Sequence, residues 1–83
     1  RSRGLGDVYK RQEALEFIVN QNCRMIGIRL QDMKTRPNLL VAAINRQGKV
    51  IIPGGQDSFE AGDSVIIVTT ETGLQDIHEI LAE

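Results

Sequence analysis

The chain is 83 residues long, with 41% apolar, 4% aromatic and 25% charged side chains and a formal net charge of −1. That length supports one domain close to the lower limit for a self-sufficient core, and no apolar run approaches the ~18 residues that a membrane-spanning helix needs. The near-neutral balance argues against a basic nucleic-acid binder, and the lone Cys23, which has no internal partner, favours a reducing compartment such as the cytoplasm.

The first stretch, RSRGLGDVYKRQ over residues 1–12, holds four basic side chains and no sustained apolar period. Its end, DVYKRQ, is what the codons GAT GTG TAT AAG AGA CAG encode, a string similar to the mosaic-end adapter of transposase-based sequencing libraries. Residues 1–12 are therefore expected to be a disordered, non-native leader, to be set aside in fold reasoning. Different codons at Asp7 to Gln12 would remove that reading. Residues 13–83 then form the domain, with six basic against ten acidic side chains and a net charge of −4.

From Glu13 onward Leu15, Phe17 and Val19 alternate with Ala14, Glu16 and Ile18, which predicts a half-buried strand over residues 14–19. After the polar turn NQNCR, Ile26, Leu30 and Met33 share a helical face, although Gly27 lowers propensity; a short helix is expected over 29–34. Pro37 disfavours helix at Arg36, and NLLVAAINR reads as a strand with Leu40, Ala42 and Ile44 on one face. Gln47-Gly48 predicts a tight hairpin reversal into 49–52, and Pro53, lacking an N–H, ends the ladder.

Glu60-Ala61-Gly62-Asp63 suits a second tight turn, glycine supplying a positive φ and aspartate accepting local N–H groups. The following SVIIVTT is apolar on both alternating faces, so a central strand covered on two sides is expected. Thr72 and Gln75 have capping-box spacing, and Leu74, Ile77, His78 and Leu81 follow at helical intervals, predicting a C-terminal amphipathic helix. The sum is an α+β fold: a small, mainly antiparallel sheet with a short helix and a terminal helix packed on it. So few elements leave an edge and an apolar patch, and a second copy is expected to cover them.

The segments EALEFIV (13–19), GIRLQDM (27–33), NLLVAAINR (38–46) and VIIPGGQDSFEAGDSVIIV (50–68) together resemble the C-terminal domain of regulators of K⁺ conductance, the TrkA C-terminal domain family. The likeness runs from Glu13 to the end. It is carried by the hairpin, the Ile52-Pro53 pair and Gly62-Asp63 before an apolar strand, in combination. It implies a regulatory domain that pairs as a homodimer and follows a nucleotide-binding Rossmann domain. Such a domain belongs to a cytoplasmic subunit at the inner face of the cell membrane that helps gate a membrane potassium transporter. NAD or ATP would bind only that Rossmann domain, because residues 13–83 contain no GxGxxG after a strand. Some relatives bind cyclic di-AMP between two such domains. The alternative reading is therefore a sensor of cyclic di-AMP or another small ligand, attached to a different cation transporter or exchanger. For that ligand the resemblance points to Ile26 packing on a base, Asn38 making a hydrogen bond and Pro53 lining the pocket.

Pro53-Gly54-Gly55 presents backbone N–H groups that suit an anion, but no lysine or helix N-terminus follows to complete a cradle, so a turn is the expected role. Asp57, Glu60 and Asp63 are close enough in sequence to gather a cation, against the commoner role of solvated turn carboxylates. His78 has no second histidine or cysteine beside it and is expected at a boundary or interface. Cys23 lacks an activating base. No nucleophile, base and orienting group assemble, so no enzyme activity and no metal are expected.

Overall fold

The structure is a computed structural model that describes residues 12–71 and 73–82. The expected leader therefore falls, except for Gln12, outside the described residues, as does Thr72.

Four strands form one antiparallel sheet: β1 (Glu13–Ile18), β2 (Leu39–Arg46), β3 (Lys49–Ile51) and β4 (Ser64–Thr69), in the spatial order β1-β4-β2-β3. The β-branched run of the last strand takes the centre, as its composition predicts. β2 and β3 form the expected hairpin. Gln47 and Gly48 both have positive φ, 56° and 84°, the pattern of a two-residue I′ reversal whose twist matches the flanking strands.

The sheet is covered on one face only, which corrects the expectation for β4. Val65, Ile67 and Thr69 are buried, whereas Ser64, Ile66 and Val68 on the other face are half-buried. The inner face meets Val19, Met25, Phe59, Ile77 and Ile80, and with Ile44 these side chains make the core. Burying each of them contributes ~1.5–3 kcal/mol.

A bulge between Val41 and Ala43 changes the parity of β2. Leu40 and Ile44, which period-two alternation places on one face, therefore point to opposite ones: Ile44 is fully buried and Leu40 is exposed.

Loops and 3₁₀ turns, not α-helices, supply the covering layer. The predicted helix over 29–34 is a single 3₁₀ turn, Leu30–Asp32. At the C-terminus no amphipathic α-helix is formed by the described residues; the chain makes a 3₁₀ turn, Ile77–Ile80. Asp76 and Glu79 provide the capping box, four residues later than the expected Thr72–Gln75 pair. Ile77 and Ile80, three apart, are then stacked on one side and both buried, which is the geometry of a 3₁₀ turn. The turn cannot lengthen because the chain beyond it is paired: Arg36 N–H donates to Ile80 O, Ala82 N–H donates to Lys34 O, and Thr35 bridges Leu81.

Candidate functional site

The acidic loop between β3 and β4 is the most organised polar region among the described residues. β2 and β4 pair Asn45 with Ser64, so the next residues on each chain, Arg46 and Asp63, face one another. Arg46 Nε donates to Asp63 Oδ1 at 3.0 Å and Nη2 donates to Oδ2 at 2.9 Å. Nη2 also donates to Ser58 O at 2.9 Å, and Nη1 lies 3.2 Å from Glu60 Oε2. Asp63 is 1% exposed. Its carboxyl is held below the usual carboxylate range, chiefly by the hydrogen bond from Arg46 and further by the Glu60 N–H, against burial. Arg46 is raised, first by the bond to Asp63.

The cation that Glu60 and Asp63 gather is therefore the guanidinium of Arg46. Asp57 is engaged elsewhere: its Oδ2 accepts the Gly54 N–H at 2.7 Å. That N–H is thus satisfied within the turn. Asp63 also accepts the Glu60 N–H at 2.8 Å, the local capping role predicted for it. Its link to Arg46 is long-range and follows from the β2–β4 register, which no local sequence pattern announces.

The Pro53-Gly54-Gly55 stretch is docked on the first 3₁₀ turn. Gln31 N–H donates to Gly55 O at 3.0 Å and Leu30 N–H donates to Asp57 O at 2.9 Å. A Cβ on Gly55 would sit 3.0 Å from Gln31 Oε1 and 3.2 Å from Gln31 Cβ, so this approach needs glycine. Beside it lies a groove of about 260 Å³ whose walls include Gln31, Thr35, Leu39 and Pro53. A second groove of about 290 Å³ shares Leu39 and Leu40 with it and contains Asn38.

The three residues to which the resemblance pointed are thus distributed. Pro53 lines the first groove and Asn38 the second. Ile26 is half-buried, bridges Phe59, and lines neither groove. The carbonyl of Asn38 is occupied, accepting from the Thr69 hydroxyl at 2.8 Å and from the Thr70 N–H at 3.2 Å.

His78 joins two segments: its Nε2 accepts the Arg24 N–H at 3.3 Å and its Nδ1 lies 3.2 Å from Asp76 Oδ1. With Nε2 accepting, the proton belongs on Nδ1. Asp76 is lowered, first by the His78 backbone N–H. Cys23 is buried as a free thiol. Among the described residues no three His, Cys, Asp or Glu side chains are grouped to hold a metal, and no helix is long and apolar enough to cross a membrane.

A family model described as the TrkA-C domain matches residues 14–82. Among known proteins, a Trk system potassium uptake protein trkA homolog 1 of Methanosarcina mazei is 28% identical over 65 residues, covering 78% of this chain and 16% of that protein. TrkA homolog 2 of the same organism is 29% identical over 68 residues, covering 82% of this chain and 15% of that protein. The TrkA homolog of Pyrococcus abyssi is 27% identical over 70 residues, covering 83% and 31%. The chain thus spans well under half the length of these relatives. A solved structure described as an RCK domain with cda superposes with a TM-score of 0.58 at 20% identity, covering 65% of this chain and 76% of that one.

The small antiparallel sheet is an RCK-like fold. The chain belongs to the TrkA-C domain family, and its homologues are named Trk system potassium uptake proteins.

Proposed function

We propose that this chain is the regulatory, dimerising domain of a TrkA-like cytoplasmic subunit that works at the inner face of the cell membrane and helps gate a potassium transporter. The observation that carries this reading is the family match over residues 14–82, which takes in all four strands but the first residue of β1 and the terminal 3₁₀ turn. Its relatives are named as components of Trk potassium uptake.

In this reading the domain works through geometry. Two copies adopt more than one mutual arrangement, a ligand or partner binds those arrangements unequally, and the attached subunit passes the difference to the transporter. Nucleotide chemistry belongs to a Rossmann domain outside these residues. The glycine-bearing loop is consistent with that division, since the Gly54 N–H is consumed by Asp57.

The test is a chimera in which residues 13–83 replace the matching segment of the Methanosarcina mazei relative, expressed in cells lacking their own regulator. Potassium uptake restored above the level of a segment deletion is the expected result; uptake no better than the deletion overturns the reading. Titration calorimetry with cyclic di-AMP separates it from the sensor reading. Saturable heat would place the chain in the sensing class, and its absence would leave the assembly role.

A further inference from the structure

A third groove, of about 290 Å³, lies in the layer that covers the sheet and is lined by Met25, Ile28, Asp32, Met33, Lys34 and Leu81. It shares no lining residue with the grooves that hold Pro53 and Asn38. Three segments build it, and backbone bonds fix each of them. Gly27, at a φ of 86°, turns the chain so that the Ile28 N–H donates to Met25 O at 3.2 Å. The first 3₁₀ turn is closed by the Met33 N–H on Leu30 O at 3.1 Å, and the C-terminal segment is tied alongside by the Ala82 N–H on Lys34 O at 2.8 Å. Met25 belongs to the buried core and forms the floor, while Ile28 is exposed at the rim.

We propose that this groove binds a small apolar monoanion, a free carboxylate with an aliphatic body. Charge selects the class. Asp32 is already engaged by Arg29, whose Nε lies 2.9 Å from Asp32 Oδ2. Lys34 is exposed and, among the described residues, enters no ion pair. The rim therefore carries one uncommitted positive charge above an apolar floor, in a domain whose residues 13–83 sum to −4. A monoanion meets that charge while its apolar body displaces water from Met25, Ile28, Met33 and Leu81. The two thioethers are flexible and polarizable, so they adapt to an aliphatic chain without demanding one rigid shape. The volume lies at the lower edge of ligand pockets, ~300 Å³, which suits a body of about ten non-hydrogen atoms. Occupancy would bridge the Gly27 turn, the first 3₁₀ turn and the C-terminal segment, and it does not depend on how copies of the chain assemble.

Methyl NMR spectra of the 83-residue chain, titrated separately with octanoate and with octanol, test this. The methyl signals of Met25 and Met33, the chain's two methionines, are expected to shift saturably with octanoate, with a dissociation constant on the order of 1 mM. Octanol, which has no charge to offer Lys34, should bind more weakly. Lys34→Glu is expected to weaken octanoate roughly tenfold and to leave octanol unchanged, because reversing an exposed charge turns a modest attraction into a repulsion of similar size. Lys49→Glu, on β3 and outside the groove lining, makes the same change in net charge and should alter octanoate binding far less. Shifts confined to Leu40, Val50 and Ile52, exposed elsewhere, overturn the site. Equal affinity for octanoate and octanol, or equal effects of the two lysine substitutions, overturns the class of ligand. Absence of any saturable shift overturns both. Should Lys34→Glu fail to fold, the comparison of octanoate with octanol on the wild type decides.

Discussion

Arg46 and Asp63 are seventeen residues apart in sequence and joined by two parallel hydrogen bonds of 3.0 and 2.9 Å, with the carboxylate 1% exposed and the guanidinium reaching outward to Glu60. This pair ties the end of the β2–β3 hairpin to the start of the central strand. A third bond, to Ser58 O, fixes the loop between them.

Arg46→Met is expected to destabilise the domain by ~3–5 kcal/mol, because it leaves a buried carboxylate without its partner. Glu60→Gln removes only the exposed arm of the cluster and should cost under ~1 kcal/mol. Urea denaturation of the two variants checks the contrast, and equal losses would contradict the inner pair's dominance.

The depressed carboxyl of Asp63 also sets a pH dependence. Below its unfolded value of ~3.9 the unfolded chain binds the proton that the folded one resists, so stability from this group is present above that value and lost as pH falls through the lower folded value. Asp63→Asn should therefore be less stable than wild type at neutral pH, with the gap narrowing below about pH 4. Thermal melts between pH 2 and pH 7 read it directly; a gap independent of pH would remove Asp63 as the titrating group.

The hairpin turn offers a gain of stability. Gln47 holds a φ of 56°, a region that asparagine tolerates better. Gln47→Asn is expected to stabilise by ~0.5–1 kcal/mol, raising Tm by a few degrees, and Gly48→Ala, at φ 84°, to lower it. Calorimetric melts of both variants measure the two signs.

Thr69 is buried, donates to Asn38 O and accepts the Glu71 N–H at 2.9 Å. Thr69→Val keeps the shape but leaves the Glu71 N–H without its acceptor and Asn38 O with only the Thr70 N–H, at a cost of ~1–3 kcal/mol. Chemical denaturation measures the loss, and amide exchange at Glu71 should rise with it. An unchanged midpoint would show that water replaces both bonds.

What could be read from the chain divides along the range of the interactions. The hairpin at Gln47-Gly48, the turn at Gly62-Asp63 and the central strand are each specified by neighbouring residues, and they lie where the pattern puts them. The outward Leu40 was illegible because one extra residue at the β2 bulge reverses the alternation, and nothing local announces it. The terminal helix fails for a similar reason: the spacing of Leu74, Ile77 and Leu81 fits an α-helix, but pairing of Leu81 and Ala82 with residues 34–35 holds the chain extended. Among candidate binding residues, Ile26, Asn38 and Pro53 were named from resemblance, and one copy of the fold sets them in separate surroundings. The Arg46–Asp63 pair needed the β2–β4 register before it could be seen.

The strand order β1-β4-β2-β3 also governs when this domain comes into being. The hairpin can form as soon as Lys49 to Ile51 are available, but β1 has no neighbour until Ser64 to Thr69 arrive, some fifty residues after it. Closing so long a loop is entropically costly before any contact rewards it, so arrival of the last strand sets the pace of folding. During synthesis the first strand must wait, unpaired, for the ribosome to finish the central one.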